Sequence, residues 1–432
     1  MTILSNEIIN YNKNVTINFE GGNLTSDAGL LAYKAFDEKI GLSKCIQKVF
    51  PDKKDFIHQT ADVFNQIIYQ TIAGYHSDHL SNELMNDPTF GLIFNKKLAT
   101  QSTISRRLNN QNEKTLNQLL SINKKLLDES YQIESPEYIV LDIDSTYIET
   151  YGNQENKAFN YHYKNNGFHP QMVFDGLTGD LIKSDLRSGN VYTSTGISEF
   201  IEPVLKHYKN KVKPEYIIIR GDSGYAKPEL YRLAEDNDID YTIRLKANKK
   251  LYEKAQNLTD EFLEKYKDDF SKTHVIYGEF LYKAQSWKHP RRVVCKLKRT
   301  RNQIYPTYTF VVTSMSTTPK KAIMFYNNRG TMENFIKEAK LDFGMDHASY
   351  HSFMANQIKL ALRMLAYNLN NLMRRLVFPE KLKSKRMISL RTILTKIAGR
   401  LTTSARYFTL KLSSHYAYKK HFYHIFKTVN NL

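Results

Sequence analysis

The sequence is short of cysteine, of long apolar runs and, toward its end, of acid. Only Cys45 and Cys295 occur in 432 residues. They lie far apart, outside any CxxC or Cys/His ligand pattern, so neither a disulfide scaffold nor a structural zinc site is supported. No apolar run approaches the roughly 20 residues that a membrane span needs. The nearest, residues 358–369, is interrupted by Lys359 and Arg363 and reads as an amphipathic helix of a soluble protein. The opening Met1-Thr2-Ile3-Leu4-Ser5-Asn6-Glu7 lacks the basic start and apolar core of a signal peptide. A protein of the reducing cytoplasm, without membrane association, is expected. Residues 341–432 hold 3 acidic side chains against 16 basic ones.

What is present is basic and globular. A hydrophobic fraction of 41% is enough for a normal core, and the length allows about two or three domains. The formal charge of +18 favours a nucleic-acid partner. It is unevenly spread: residues 1–130 carry 14 basic and 14 acidic side chains, and residues 131–340 carry 32 and 27. Most of the excess lies near the C-terminus.

Hydrophobic spacing predicts helices through residues 24 to about 130. Thr25-Ser26-Asp27 offers N-cap candidates for a segment running through Lys39, and Val63, Ile67, Ile68 and Ile72 mark a helix over 60–75. The polar run 101–109, with Arg106 and Arg107, suits either a helix-turn-helix recognition helix or a solvated helix face. From Tyr138 the pattern changes to strands: 138–144, 170–174, 180–186, then a helix over 198–208, a strand over 216–220, a helix over 227–237 and a strand over 240–245. About 75 residues with three further strand-like runs follow before the chain becomes helical again near Tyr326. Past Lys340 it stays helical to Leu376, and a basic tail begins at Pro379.

Three carboxylates stand out. Asp144 ends a strand of apolar residues, with Asp142 two positions earlier on the same face as its rival, and Asp222 lies just past Ile217-Ile218-Ile219. The carboxyl ends of strands in an open α/β sheet are where ligands gather. A buried strand ending in carboxylates is costly unless they are paired or bind metal. Gly221-Asp222-Ser223-Gly224 also looks like the nucleophile loop of a serine protease, but the strand–helix surroundings are wrong for that fold. At about 100° per residue, Tyr326, Arg329, Glu333 and Lys340 fall on one face of a single helix, with Lys337 alongside. Such a face is either a salt-bridged surface or a polyanion site. Three carboxylates suit two Mg²⁺ ions, or Mn²⁺ in their place, acting on a phosphodiester, with Arg329 and Lys340 on the phosphates.

The spacing Tyr326-x2-Arg329-x3-Glu333-x6-Lys340 resembles the YREK signature of bacterial insertion-sequence DDE transposases, and Asp144-Ser145-Thr146 and Gly221-Asp222-Ser223-Gly224-Tyr225 look like their two Asp motifs. Gly167-Phe168-His169-Pro170, Leu186-Arg187-Ser188-Gly189-Asn190 and Ala366-Tyr367-Asn368-Leu369 resemble most closely the insertion sequence 1380 group. The likeness covers nearly the whole chain. It implies a mixed α/β protein with an RNase H-like catalytic core. The expected layout is an all-helical N-terminal DNA-binding domain (1–130), the first part of the core (131–247), a β-rich insertion (248–320), the second part of the core (321–378) and a basic helical C-terminal region (379–432). It further implies that Asp144, Asp222 and Glu333 hold the catalytic metals and that Tyr326, Arg329 and Lys340 bind the element's end. Trp287, the only tryptophan, would either stack on a base or belong to the core. Double-stranded DNA, both element end and target, is the implied partner, engaged by a homodimer on the nucleoid. A catalytically silent end-binding protein and an RNase H-like nuclease are the alternatives.

Overall fold

A computed structural model describes residues 7–9, 12–53 and 56–432. The chain forms two compact units, one of residues 1–122, 342–344 and 365–432, the other of residues 123–341 and 345–364.

The second unit is built on an eight-stranded mixed sheet. Its strands in chain order are β1 (Ile139–Ser145), β2 (Gln171–Asp175), β3 (Leu181–Asp185), β4 (Ile217–Gly221), β5 (Asp240–Leu245), β6 (His274–Tyr282), β7 (Arg291–Arg299) and β8 (Thr307–Thr313). The spatial order is β6-β7-β8-β5-β4-β1-β2-β3. β1, β2 and β3 form an antiparallel meander, while β4 and β5 run parallel to β1. The β-branched, apolar β1 and β4 are buried on both faces, as central parallel strands must be. Helix α1 (Ile197–Tyr208) links β3 to β4, and α2 (Pro228–Glu235) links β4 to β5.

Residues 248–320 are β-rich as read from the sequence, but β8, β7 and β6 continue the same sheet beyond β5 instead of forming a layer of their own. Two short helices, Lys249–Lys254 and Gln256–Tyr266, precede them. The stretch read as an amphipathic helix lies within the helix Phe353–Leu376, most of whose residues are buried. Of its charged side chains, Arg363 donates to the carbonyl of His347 at 2.7 Å and Lys359 to the Ser349 hydroxyl at 3.3 Å. Among the described residues no helix is long and apolar enough to cross a membrane.

The first unit is mainly helical, around Thr60–Ala73. Thr25-Ser26-Asp27 does not cap the first helix, which starts at Leu30 after Gly29. Instead Asp27 is buried and receives Lys396 at 2.6 Å and the Tyr75 hydroxyl at 2.7 Å. The basic C-terminal segment folds into this unit. Strands Gly399–Ser404 and Tyr407–Leu412 pair as a hairpin, and Gly399–Ser404 also pairs with Leu24–Thr25.

Candidate active site

Register brings the two strand-end carboxylates together. β4 lies parallel to β1 with Arg220 opposite Asp142 and Gly221 opposite Ile143, so one step further Asp222 comes level with Asp144. Asp142 is not free for a ligand: Arg220 grips it through Nε at 2.5 Å and Nη2 at 2.6 Å, and both side chains are buried. This fork–fork pair is an internal clamp between β1 and β4. Arg220 also donates to the carbonyl of Phe325 at 2.7 Å, which seats the helix above it.

That helix is not continuous. The single face predicted from Tyr326 to Lys340 is divided between α3 (Pro319–Asn327) and α4 (Gly330–Phe343), with Asn328 and Arg329 in a turn closed by i→i+3 bonds from Arg329 to Tyr326 and from Met332 to Arg329. Asn327, Asn328 and Gly330 are weak helix formers, and their cluster ends α3. The turn keeps Tyr326, Arg329 and Glu333 on one cleft of about 390 Å³, which Asp222 and Arg244 also line.

Within it, Arg329 is the central group. Its side chain is 10% exposed, and its Nη2 stands 2.7 Å from Oδ2 of Asp144. Its Nε, by contrast, has no hydrogen-bond acceptor among the described residues. Burial alone would lower its pKa, but Asp144 and the nearby Tyr326, Asp222 and Asp142 outweigh burial and hold it above its ordinary range. Asp144 is pushed up to about 6 by burial, against the opposing pull of Arg329 and with a further push from Asp222. The backbone N–H of Ser145 donates to its other oxygen at 2.8 Å. Asp222 accepts from the N–H of Gly224 at 2.9 Å, capping the short turn Ser223–Tyr225. Glu333 is exposed in the first turn of α4.

Carboxylates are the donor type that Mg²⁺ and Mn²⁺ prefer. The arrangement, however, does not close around an ion. Among the described residues no group of three or more His, Cys, Asp or Glu side chains is placed to hold one, and Arg329 stands on Oδ2 of Asp144.

The other predicted residues lie elsewhere. Lys340 donates to the carbonyl of Tyr147 at 3.0 Å, and burial lowers its pKa. Lys337 is exposed outside the cleft lining. Trp287 is 5% exposed, edge-on to Tyr231 and Tyr282 with the Arg291 guanidinium 5.4 Å from its ring centre, which makes it a core residue in this arrangement. Arg106 and Arg107 belong to the helix Gln101–Asn109 of the first unit. Arg106 is exposed, while Arg107 lies over the Phe56 ring at 3.7 Å and donates to the His58 carbonyl at 2.8 Å. Arg244 is the lining cation that sequence reading missed. Its signal was the one that marked the aspartates, a lone exposed charge near the carboxyl end of an apolar strand.

A family model described as Transposase DDE domain group 1 matches residues 8–432. No curated protein matches the chain. Among solved structures, the chain is similar to the piggyBac transposase in its synaptic complex with hairpin DNA, at 15% identity and a TM-score of 0.40, over 86% of this chain and 80% of that one.

Proposed function

The chain belongs to the transposase DDE domain group 1 family, and from that premise we propose that it cleaves the ends of an insertion sequence and transfers them to target DNA, with Asp144, Asp222 and Glu333 as the catalytic carboxylates. The observation that carries this reading is the buried, half-satisfied guanidinium of Arg329, which shares one cleft with Asp222 and Glu333 and stands beside Asp144. A buried donor without an acceptor is costly, and a backbone phosphate of DNA would satisfy it. The meander β1-β2-β3 followed by parallel β4 and β5 is the order expected of an RNase H-like core, and the Tyr326 to Lys340 spacing is that of the YREK signature.

In this reading Arg329 and Arg244 hold phosphate oxygens, Arg329 as a fork. Tyr326, buried on its other side by Val294, Val311 and Ile323, offers its hydroxyl at the cleft wall. Transfer of Arg329 from Asp144 to a phosphate would leave Asp144 open beside Asp222, with Glu333 entering from α4. The three would then hold Mg²⁺ or Mn²⁺, a cofactor that activates the attacking oxygen and stabilises the leaving one. The Asp142–Arg220 clamp keeps Asp144 and Asp222 level throughout. Synapsis of two ends calls for a homodimer on DNA.

The test is cleavage of a labelled duplex carrying the element's terminal repeat, with Mg²⁺, by wild type and by Asp144→Ala, Asp222→Ala and Glu333→Ala. Each variant should bind the end and cut it at least about 100-fold more slowly, since even an outer-shell partner of a metal site costs 10–100-fold. Wild type that binds tightly and never cuts would instead be a silent end-binding protein. Cutting without transfer of the labelled 3′ end into plasmid would make it a nuclease.

A further inference from the structure

Two motifs that the proposed chemistry leaves without a role meet in the fold. They are Gly167-Phe168-His169-Pro170, which leads into β2, and Leu186-Arg187-Ser188-Gly189-Asn190, which follows β3. The N–H of His169 donates to the Arg187 carbonyl at 2.9 Å, and Nε of Arg187 donates to the His169 carbonyl at 3.1 Å. Nη1 of Arg187 is shared among Oε1 of Gln171 at 3.2 Å and the carbonyls of Thr193 at 3.2 Å, Thr195 at 3.1 Å and Tyr192 at 3.5 Å. Arg187 is buried, every acceptor it meets among the described residues is neutral, and its Nη2 has none. A buried guanidinium held in this way costs stability. What it secures is the course of the loop after β3, residues 188–196.

Thr193 is the residue by which that loop reaches the site. Its carbonyl is held by Arg187 and also by Nε2 of Gln171 at 3.4 Å, and Gln171 stands opposite Ser145 in the β1–β2 register. The Ser145 hydroxyl donates to Oγ1 of Thr193 at 3.4 Å. Thr193 also packs on Gly224, where a Cβ would come 3.0 Å from Cγ2 and 3.3 Å from Cβ of the threonine. Ser145 and Gly224 are the residues whose N–H groups hold Asp144 at 2.8 Å and Asp222 at 2.9 Å. One side chain therefore touches both of the residues whose backbone fixes the two strand-end carboxylates. Register cannot do this work alone, because the pairing of β4 with β1 ends at Gly221 and Ile143, one residue short of each aspartate.

We propose that Thr193, anchored by Arg187, is a positioning residue that sets the separation of Asp144 and Asp222. This rests on the DNA-cleaving reading above. Neither Thr193 nor Arg187 lines the cleft, so both act through the carboxylates and not on the DNA.

The experiment compares the full chain with Thr193→Ala, Thr193→Val and Arg187→Lys, each bound to a duplex carrying the terminal repeat. Three quantities are read: affinity for the end by fluorescence anisotropy, Mn²⁺ affinity from the paramagnetic resonance of the free ion, and cleavage rate at saturating DNA. Thr193→Ala removes the wedge, and Arg187→Lys replaces a fork by a point charge. Each should weaken Mn²⁺ binding and slow cleavage about tenfold, as loss of an outer-shell partner does, with affinity for the end within about twofold of wild type. Thr193→Val keeps the β-branched shape and should restore both quantities. The proposal is overturned if Thr193→Ala binds Mn²⁺ like wild type, if its affinity for the end falls in step with that for Mn²⁺, or if Thr193→Val is as impaired as Thr193→Ala. It is also overturned by a loss confined to Arg187→Lys and accompanied by a lower melting temperature, which would make the arginine structural only. Wild type that binds Mn²⁺ no better than Asp144→Ala removes the DNA-cleaving reading, and this proposal falls with it. Wild type that binds the ion and cuts, with Thr193→Ala equal to it, removes this proposal alone.

Discussion

At the scale of residues, the Asp144–Arg329 pair is unequal. Arg329 gains from its carboxylate neighbours, whereas for Asp144 the attraction does not offset burial, and its pKa rises to about 6. In the unfolded chain the same carboxyl ionises near its ordinary value of 3.8. Between about pH 4 and pH 6 the folded state therefore keeps a proton that the unfolded state has released, so stability falls with rising pH over that window and levels off above it. Replacing the carboxylate by an amide removes this cost. Asp144→Asn should accordingly stabilise the metal-free protein by roughly 1–3 kcal/mol at pH 7.5 and by almost nothing below pH 4, because Arg329 retains Asp222 as a neighbour. Urea denaturation at the two pH values measures it. A gain of the same size at both would show that burial of the Asp144 charge is not its source. Strain of this kind is what a site kept for a ligand retains at the expense of stability.

At the scale of elements, the clamp between β1 and β4 depends on a void. A Cβ on Gly176 would lie 2.4 Å from Oδ2 of Asp142 and 2.6 Å from Nη2 of Arg220, so only glycine fits over the pair. Gly176→Ala must displace one partner. It should cost about 2–4 kcal/mol, between the usual range for overpacking and that for breaking a buried ion pair. In the same urea titration Gly91→Ala is the control, since nothing lies within 4 Å of its Cβ and an exposed helical position should gain from alanine. An unchanged midpoint for Gly176→Ala would mean that the clamp yields to a methyl group at little cost.

The elements also show what could be read beforehand. The strand ends bearing Asp144 and Asp222 were legible because apolar β-branched runs and the charges that stop them are local signals. The order of strands and helices from Tyr138 to Leu245 followed from the same periodicity. The role of Asp142 was not legible, because its partner lies 78 residues away and only register brings the two together. Nor was the small antiparallel sheet between β1 and β2, formed by Ile148–Glu149, Ala158–Asn160 and Asn165–Phe168, whose two- to four-residue strands are too short to carry an alternation. The break between α3 and α4 left a trace in Asn327, Asn328 and Gly330, but the helical spacing of Tyr326, Arg329, Glu333 and Lys340 continues across it and concealed it.

At the scale of the whole molecule the question is where the charge of +18 acts. The sequence suggested a basic tail, and deletion of residues 380–432 would be the direct test of it. The structure makes that deletion uninformative, since it would strip the strand partner from Leu24–Thr25, Lys396 from Asp27, and Arg391 from the carbonyls of Thr71 and Ile72. Part of the basic excess is therefore structural, and only the exposed part is available to phosphates. Arg406, Lys411, Lys419 and Lys420 are exposed in that segment. Changing all four to glutamine should leave the fold intact, because exposed substitutions of this kind are usually within about 0.5 kcal/mol each. If the segment grips the DNA backbone, the slope of log K against log salt for duplex binding should fall by up to about 0.9 for each phosphate that the variant no longer neutralises. A slope equal to wild type, with the melting temperature also unchanged, would transfer the nonspecific grip to basic side chains elsewhere in the chain.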